Sequence, residues 1–130
     1  MSLKSISAFV LAPMLIVSGF ATAAPGPIAY LDTYRQQGIE NIDAERGRLL
    51  WYSTNGERSC TSCHGETPRA TGKHIKTGKV IEPMAPSLNP ERYQSEKKFE
   101  KWFLRNCKWT FGRECSSQEK ADLLTWLAGQ

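Results

Sequence analysis

The sequence predicts an all-α fold in a single domain, and three observations predict it. Apolar residues recur at helical spacing in successive stretches, each bounded by a cap or a stop residue. The chain has 130 residues, and the 107 that follow an apolar leader are enough for one small domain. The run Cys60-Thr61-Ser62-Cys63-His64 has the C-x-x-C-H spacing that attaches haem covalently. Two thiols add across the vinyl groups of the ring, and the adjacent histidine turns its imidazole onto the iron. A haem is a large rigid apolar plate, so helices packed around it can make up for the modest core of a short chain.

The leader is read as a signal peptide over residues 1–23, with the cytochrome domain at 24–130. Lys4 is a short positive start, Ile6 to Phe20 an apolar run with Pro13 and Ser18 inside it, and Ala21-Thr22-Ala23 an A-x-A cleavage site. The run ends in small residues and is short for a membrane span, so no permanent anchor is expected. No cysteine sits at the cleavage site, which argues against a lipoprotein. Bacterial haem attachment of this kind happens outside the cytoplasm, so leader and motif independently point to a periplasmic protein. The formal charge of +4 drops by one with Lys4 removed, and haem propionates lower it further. That balance does not suggest nucleic-acid binding, and it permits steering toward an acidic protein partner.

Four cysteines divide into two pairs. Cys60 and Cys63 go to haem, and an oxidising compartment favours pairing of Cys107 with Cys115. The loop they close is short, so the chain-entropy argument gives about 2.5 kcal/mol at best. A zinc site made from all four thiols is the alternative, and export argues against it.

Residues 24–27 form a loose lead-in. Ile28 to Gln37 carries apolar positions at Ile28, Leu31 and Tyr34 and stops at Gly38. Asp43 caps a second helix that contains Gly47, a costly residue there whose place is explained by close approach of another helix. Asn55-Gly56 is a turn. Residues 65–94, broken by repeated glycine and proline, read as a long connection packed on the haem. Its lysines, Lys73, Lys76 and Lys79, stand either at the haem edge facing an acidic partner or simply in solvent. Ser95 begins a helix whose apolar stripe is Phe99, Trp102, Phe103 and Asn106, with an end expected near Cys107. Ser116 and Glu119 make a capping box for the last helix, which carries Ala121, Leu123, Leu124 and Leu127 and is expected to cross the helix containing Gly47.

Three residues compete for the second axial position on the iron. Met84, in Glu82-Pro83-Met84-Ala85-Pro86, offers a soft thioether suited to ferrous iron. It follows His64 by only 20 residues, early for a small class I cytochrome, and a gap-filling core methionine is its other reading. Asn106 follows His64 by 42 residues, where such chains usually supply this ligand. An amide oxygen is hard and weak-field: it holds ferric iron and binds ferrous iron poorly, so reduction would open a site for a diatomic gas. An asparagine satisfying backbone groups at a helix end is the alternative. His74, among lysines, reads as a surface histidine.

These residues together resemble the sphaeroides haem protein family. The resemblance runs through Ala44-Glu45-Arg46-Gly47-Arg48-Leu49, the haem motif, Thr77-Gly78-Lys79, Ala85-Pro86-Ser87, Arg105-Asn106-Cys107, Gly112-Arg113-Glu114-Cys115 and Glu119 to Leu124. The haem motif is generic; the Arg-Asn-Cys and Gly-Arg-Glu-Cys pair is far more specific. The resemblance implies a class I-like c-type cytochrome domain around one covalent haem c. It implies His64 as proximal ligand, Asn106 as a distal ligand that leaves on reduction, and a Cys107–Cys115 disulfide. It also implies O2 and NO binding by the reduced haem and a diheme c-type cytochrome as electron donor. Met84 is a departure the family does not require, and Trp109 and Phe111 add bulk near the disulfide loop. The competing function is a low-spin electron carrier with His64 and Met84 as permanent ligands. No catalytic residue is assigned: Asn106 would be a gate rather than a base, and haem-dependent O2 or NO chemistry and plain gas binding or electron transfer both stay open.

Overall fold

A computed structural model describes residues 26–130. The leader assigned to 1–23 lies outside the described residues. Five helices dominate: α1 (Pro27–Gln36), α2 (Ala44–Tyr52), α3 (Thr61–His64), α4 (Glu96–Phe111) and α5 (Ser117–Ala128). Among the described residues, no helix is long and apolar enough to cross a membrane.

Local chemistry starts and stops these helices. Pro27 occupies the first turn of α1, where a missing N–H costs nothing. Asp43 caps α2 by accepting from the Glu45 N–H at 2.7 Å. Ser95 caps α4, accepting from the Lys98 N–H at 3.3 Å. Ser116 and Glu119 satisfy each other's backbone N–H groups at the start of α5.

α5 is the centre of the core: α2 crosses it and α1 packs beside it. The crossing depends on Gly47. A Cβ there would stand 2.1 Å from the Asp122 carbonyl oxygen, a distance no side chain can occupy, so only glycine allows the two backbones this close. The same crossing is tied by Asp122, whose buried carboxylate accepts from the Asp43 N–H at 2.7 Å, Arg46 Nε at 2.8 Å and Gln118 Nε2 at 2.9 Å. α4 joins through aromatic contacts. Phe99 stacks on Tyr30 with centroids 5.1 Å apart and meets Phe103 edge-on at 4.6 Å.

Four expectations need correction. In α1 the buried face is Tyr30, Leu31 and Tyr34, while Ile28 is 64% exposed, because the helix turns Tyr30 rather than Ile28 toward Phe99. α4 continues past Cys107 to Phe111, since Thr110 and Phe111 still find packing and Gly112 caps the end. Its buried stripe is Phe99, Phe103, Cys107 and Thr110, which leaves Trp102 on the flank, 47% exposed beneath the Arg105 guanidinium. The connection 65–94 contains structure of its own: a small antiparallel hairpin, β1 (Gly72–Lys73) with β2 (Val80–Ile81), and a 3₁₀ turn at Pro90–Tyr93. The hairpin pairs Gly72 with Ile81 and Lys73 with Val80.

Candidate haem site

The haem motif is folded as one tight turn. Ser59 and Ser62 brace it reciprocally: the Ser59 N–H donates to Ser62 Oγ at 3.0 Å, and the Ser62 N–H to Ser59 Oγ at 3.2 Å. The Cys63 and His64 N–H groups both donate to the Cys60 carbonyl, at 3.3 and 3.0 Å. In α3, residues at i, i+3 and i+4 share a face, so Cys60, Cys63 and His64 stand together on one side. Gly72 lies hard against this turn. A Cβ there would fall 2.0 Å from the Cys63 carbonyl oxygen and 2.7 Å from the His64 Cα, so the hairpin clamps α3 at van der Waals distance.

The side chains of the turn are ready for a covalent group. Cys60 and Cys63 are free thiols, both half-buried. Burial pushes the Cys60 thiol up to about 11. Burial, and secondly the positive charge of Arg92, pulls His64 down to about 4, which keeps the imidazole neutral and ligand-competent. The His64 ring sits 5.6 Å from the Trp51 ring, tilted by 40°. Its Nδ1 is buried with no hydrogen-bond partner, as is the Trp51 Nε1. An unpaired buried polar atom costs about 1–3 kcal/mol. Two such atoms beside a pair of free thiols suit a site whose remaining partner is not protein.

Asn106 stands on α4, half-buried, at the border between the buried stripe and the Trp102–Trp109 flank. It lies well inside the helix, which ends at Phe111, so it is out of register for satisfying helix-end backbone groups. The next residue, Cys107, is joined to Cys115, with sulfurs 1.99 Å apart and Cα atoms 5.6 Å apart. Met84 is held differently. The N–H groups of Met84 and Ala85 both donate to the Pro68 carbonyl, at 2.8 and 2.9 Å, and Tyr93 Oη donates to the Met84 carbonyl at 2.6 Å. Its side chain packs against the core cluster. His74 accepts from the Lys76 and Thr77 N–H groups at its Nδ1, at 3.3 and 3.2 Å, and so organises the hairpin turn. Trp109 lines an open hollow of about 490 Å³ together with Arg58, Ile75 and Lys76.

Sequence reasoning missed Trp51 and Arg92. Trp51 reads as one more apolar residue of α2, and nothing in its spacing signals contact with His64. Arg92 donates to the Pro83 and Glu82 carbonyls at 3.1 and 2.7 Å, which turns a surface-type residue into one whose charge acts on the site.

Comparison with known proteins places the chain among relatives of known fold. A family model described as a domain of unknown function, DUF1924, matches residues 37–127. The cytochrome c-type protein SHP of Cereibacter sphaeroides is 41% identical over 123 residues, which is 91% of this chain and 84% of that one. A solved structure of oxidised SHP, described as an oxygen-binding cytochrome c, superposes with TM-score 0.75 at 42% identity, covering 83% of this chain and all of that one. The solution structure of cytochrome c'' from Methylophilus methylotrophus, described in terms of haem-ligand detachment, matches with TM-score 0.68 at 29% identity, over 80% of this chain and 93% of that one. The fold is that of class I-like c-type cytochromes, and such proteins carry covalently bound haem c. The chain belongs to the SHP family.

The residues fit that cofactor: the paired thiols, the neutral imidazole and the unpartnered buried nitrogen of His64 sit on one turn.

Proposed function

We propose that this protein is an exported, periplasmic monohaem cytochrome whose distal ligand, Asn106, leaves on reduction and makes room for O2 or NO. When bound, haem c would supply a redox-active iron. Cys60 and Cys63 would hold its edge, and His64 would present an imidazole nitrogen from the same turn. Asn106 would offer its amide oxygen from α4. That oxygen suits ferric iron well and ferrous iron poorly, so its hold would weaken with the added electron. The disulfide at Cys107, the residue after Asn106, would hold this part of α4 in place as the side chain moved.

The observation that carries this reading is the position of Asn106: inside α4, half-buried between two tryptophans and free of any helix-end duty. Two relatives support it. SHP is described as oxygen-binding, and cytochrome c'' in terms of haem-ligand detachment. Met84 fits less well as the opposing ligand. Its backbone is bolted to Pro68, four residues beyond His64, and its side chain is engaged in core packing.

Electrons would come one at a time from a diheme c-type cytochrome, and the leader at 1–23 would direct export. In the holoprotein, Asn106→Ala should change the ferric spectrum and leave CO binding by the reduced form intact. An unchanged ferric spectrum would remove Asn106 from the iron.

A further inference from the structure

We propose that Trp51, Trp126 and Tyr52 form a relay that carries an oxidising equivalent from the site at His64 to the protein surface when the haem protein meets hydrogen peroxide. The relay rests on the reading of His64 as the iron ligand.

Four rings lie in a row. The His64 and Trp51 centroids are 5.6 Å apart, those of Trp51 and Trp126 5.5 Å, and those of Trp126 and Tyr52 6.0 Å. Each step is a direct aromatic contact. The row runs outward: Trp51 is 1% exposed, Trp126 half-buried and Tyr52 43% exposed.

Tryptophan and tyrosine give up an electron far more readily than phenylalanine. The other aromatic cluster of the core is therefore no competitor, because its contacts from Tyr30 and Tyr93 both run into Phe99. The remaining two tryptophans are disfavoured by charge. Arg105 lies 5.4 Å over the Trp102 ring and Arg58 5.4 Å over Trp109, and a cation on a ring opposes a second positive charge within it. Among the described residues, no arginine or lysine stacks on Trp51 or Trp126.

Protons decide where the hole stops. An indole that loses an electron becomes acidic at Nε1. No protein group accepts from the buried Trp51 Nε1, so no side chain takes its proton and the hole moves on. Tyr52 is open to water and can release its phenolic proton as its electron leaves, which traps the hole at the surface.

The step balances. Hydrogen peroxide takes two electrons and two protons, its O–O bond breaks, and two waters form. One electron would come from the ferrous iron, which would end ferric. The other leaves Tyr52 by way of Trp126 and Trp51. One proton is that of Tyr52 and the other comes from solvent, and a neutral tyrosyl radical remains for a later one-electron reductant. The damage that would otherwise fall on haem and core is moved to a replaceable site.

The test is a rapid-freeze electron paramagnetic resonance experiment on the chemically reduced holoprotein mixed with hydrogen peroxide. Covalent haem and its ligation are first confirmed by absorption, so a failure of the ligand reading shows there and a failure of the relay shows in the radical signal. The expected result is a tyrosyl signal that narrows with ring-deuterated tyrosine, disappears in Tyr52→Phe and weakens severalfold in Trp126→Phe, with faster haem bleaching in both variants. Trp51→Phe should behave as Trp126→Phe does; Tyr52→Phe, at an exposed position, keeps the test decisive if that core variant does not fold. A tyrosyl signal at full strength in Tyr52→Phe, a radical on Trp102 or Trp109, or bleaching with no radical would overturn the relay.

Discussion

Gly47 and Asp122 show how single residues set the frame for the site. The helix crossing that supports Trp51 exists because Gly47 has no side chain and because the Asp122 carboxylate, buried opposite it, collects donors from α2, from the turn before it and from α5 itself. Gly47→Ala would gain helix propensity in isolation. Here its methyl would collide with the Asp122 and Leu123 backbone, which cannot rotate away. The clash wins: the variant should lose about 3 kcal/mol in urea unfolding, at the high end of overpacking costs. An unchanged or raised stability would mean that the helices do not meet this closely.

At the scale of elements, the capping box of α5 carries a pH signature. The Arg113 hydrogen bond, foremost among its causes, holds the Glu119 carboxyl below the usual glutamate range. A folded-state value below the unfolded one means that the stabilisation is complete above the ordinary range and is lost as pH falls through the folded value. Thermal melts below about pH 4.5 should therefore show a steeper loss of melting temperature for the native protein than for Glu119→Gln. Equal slopes would show that the pair contributes nothing, as many exposed pairs do not. The link between α4 and α5 is testable in the same way. Removing it with Cys107→Ala and Cys115→Ala should cost about 2.5 kcal/mol by loop entropy, read as a shift of the urea midpoint.

The elements also show where sequence was informative. Capping and period are local, so Asp43, Ser95, Ser116 and the α5 stripe could be read directly, as could the need for a glycine at 47. The sequence places the end of α4 too early, near Cys107, because tertiary packing of Thr110 and Phe111 carries the helix on to its Gly112 cap. The hairpin at 72–81 was hidden for a similar reason: its two-residue strands are too short for a period, and what holds them is contact with the haem turn. Within the candidate site, the gathering of Cys60, Cys63 and His64 on one turn was legible from their spacing. Trp51 and Arg92 were not, since their roles arise from where the chain returns in space.

For the whole molecule, the candidate ligands are carried by two separate elements. Cys60, Cys63 and His64 share one braced turn, clamped by the hairpin and backed by Trp51. Asn106 belongs to a different element, α4, which the Cys107–Cys115 disulfide ties to the segment just before α5. In the function proposed, the first set would stay on the iron through the redox cycle and Asn106 would be exchanged. The most direct measurement is the absorption spectrum of the chemically reduced holoprotein before and after CO. A high-spin ferrous spectrum that shifts on adding CO is the expected result. A low-spin ferrous spectrum indifferent to CO would contradict the account, because it would mean that the sixth ligand stays when the electron arrives.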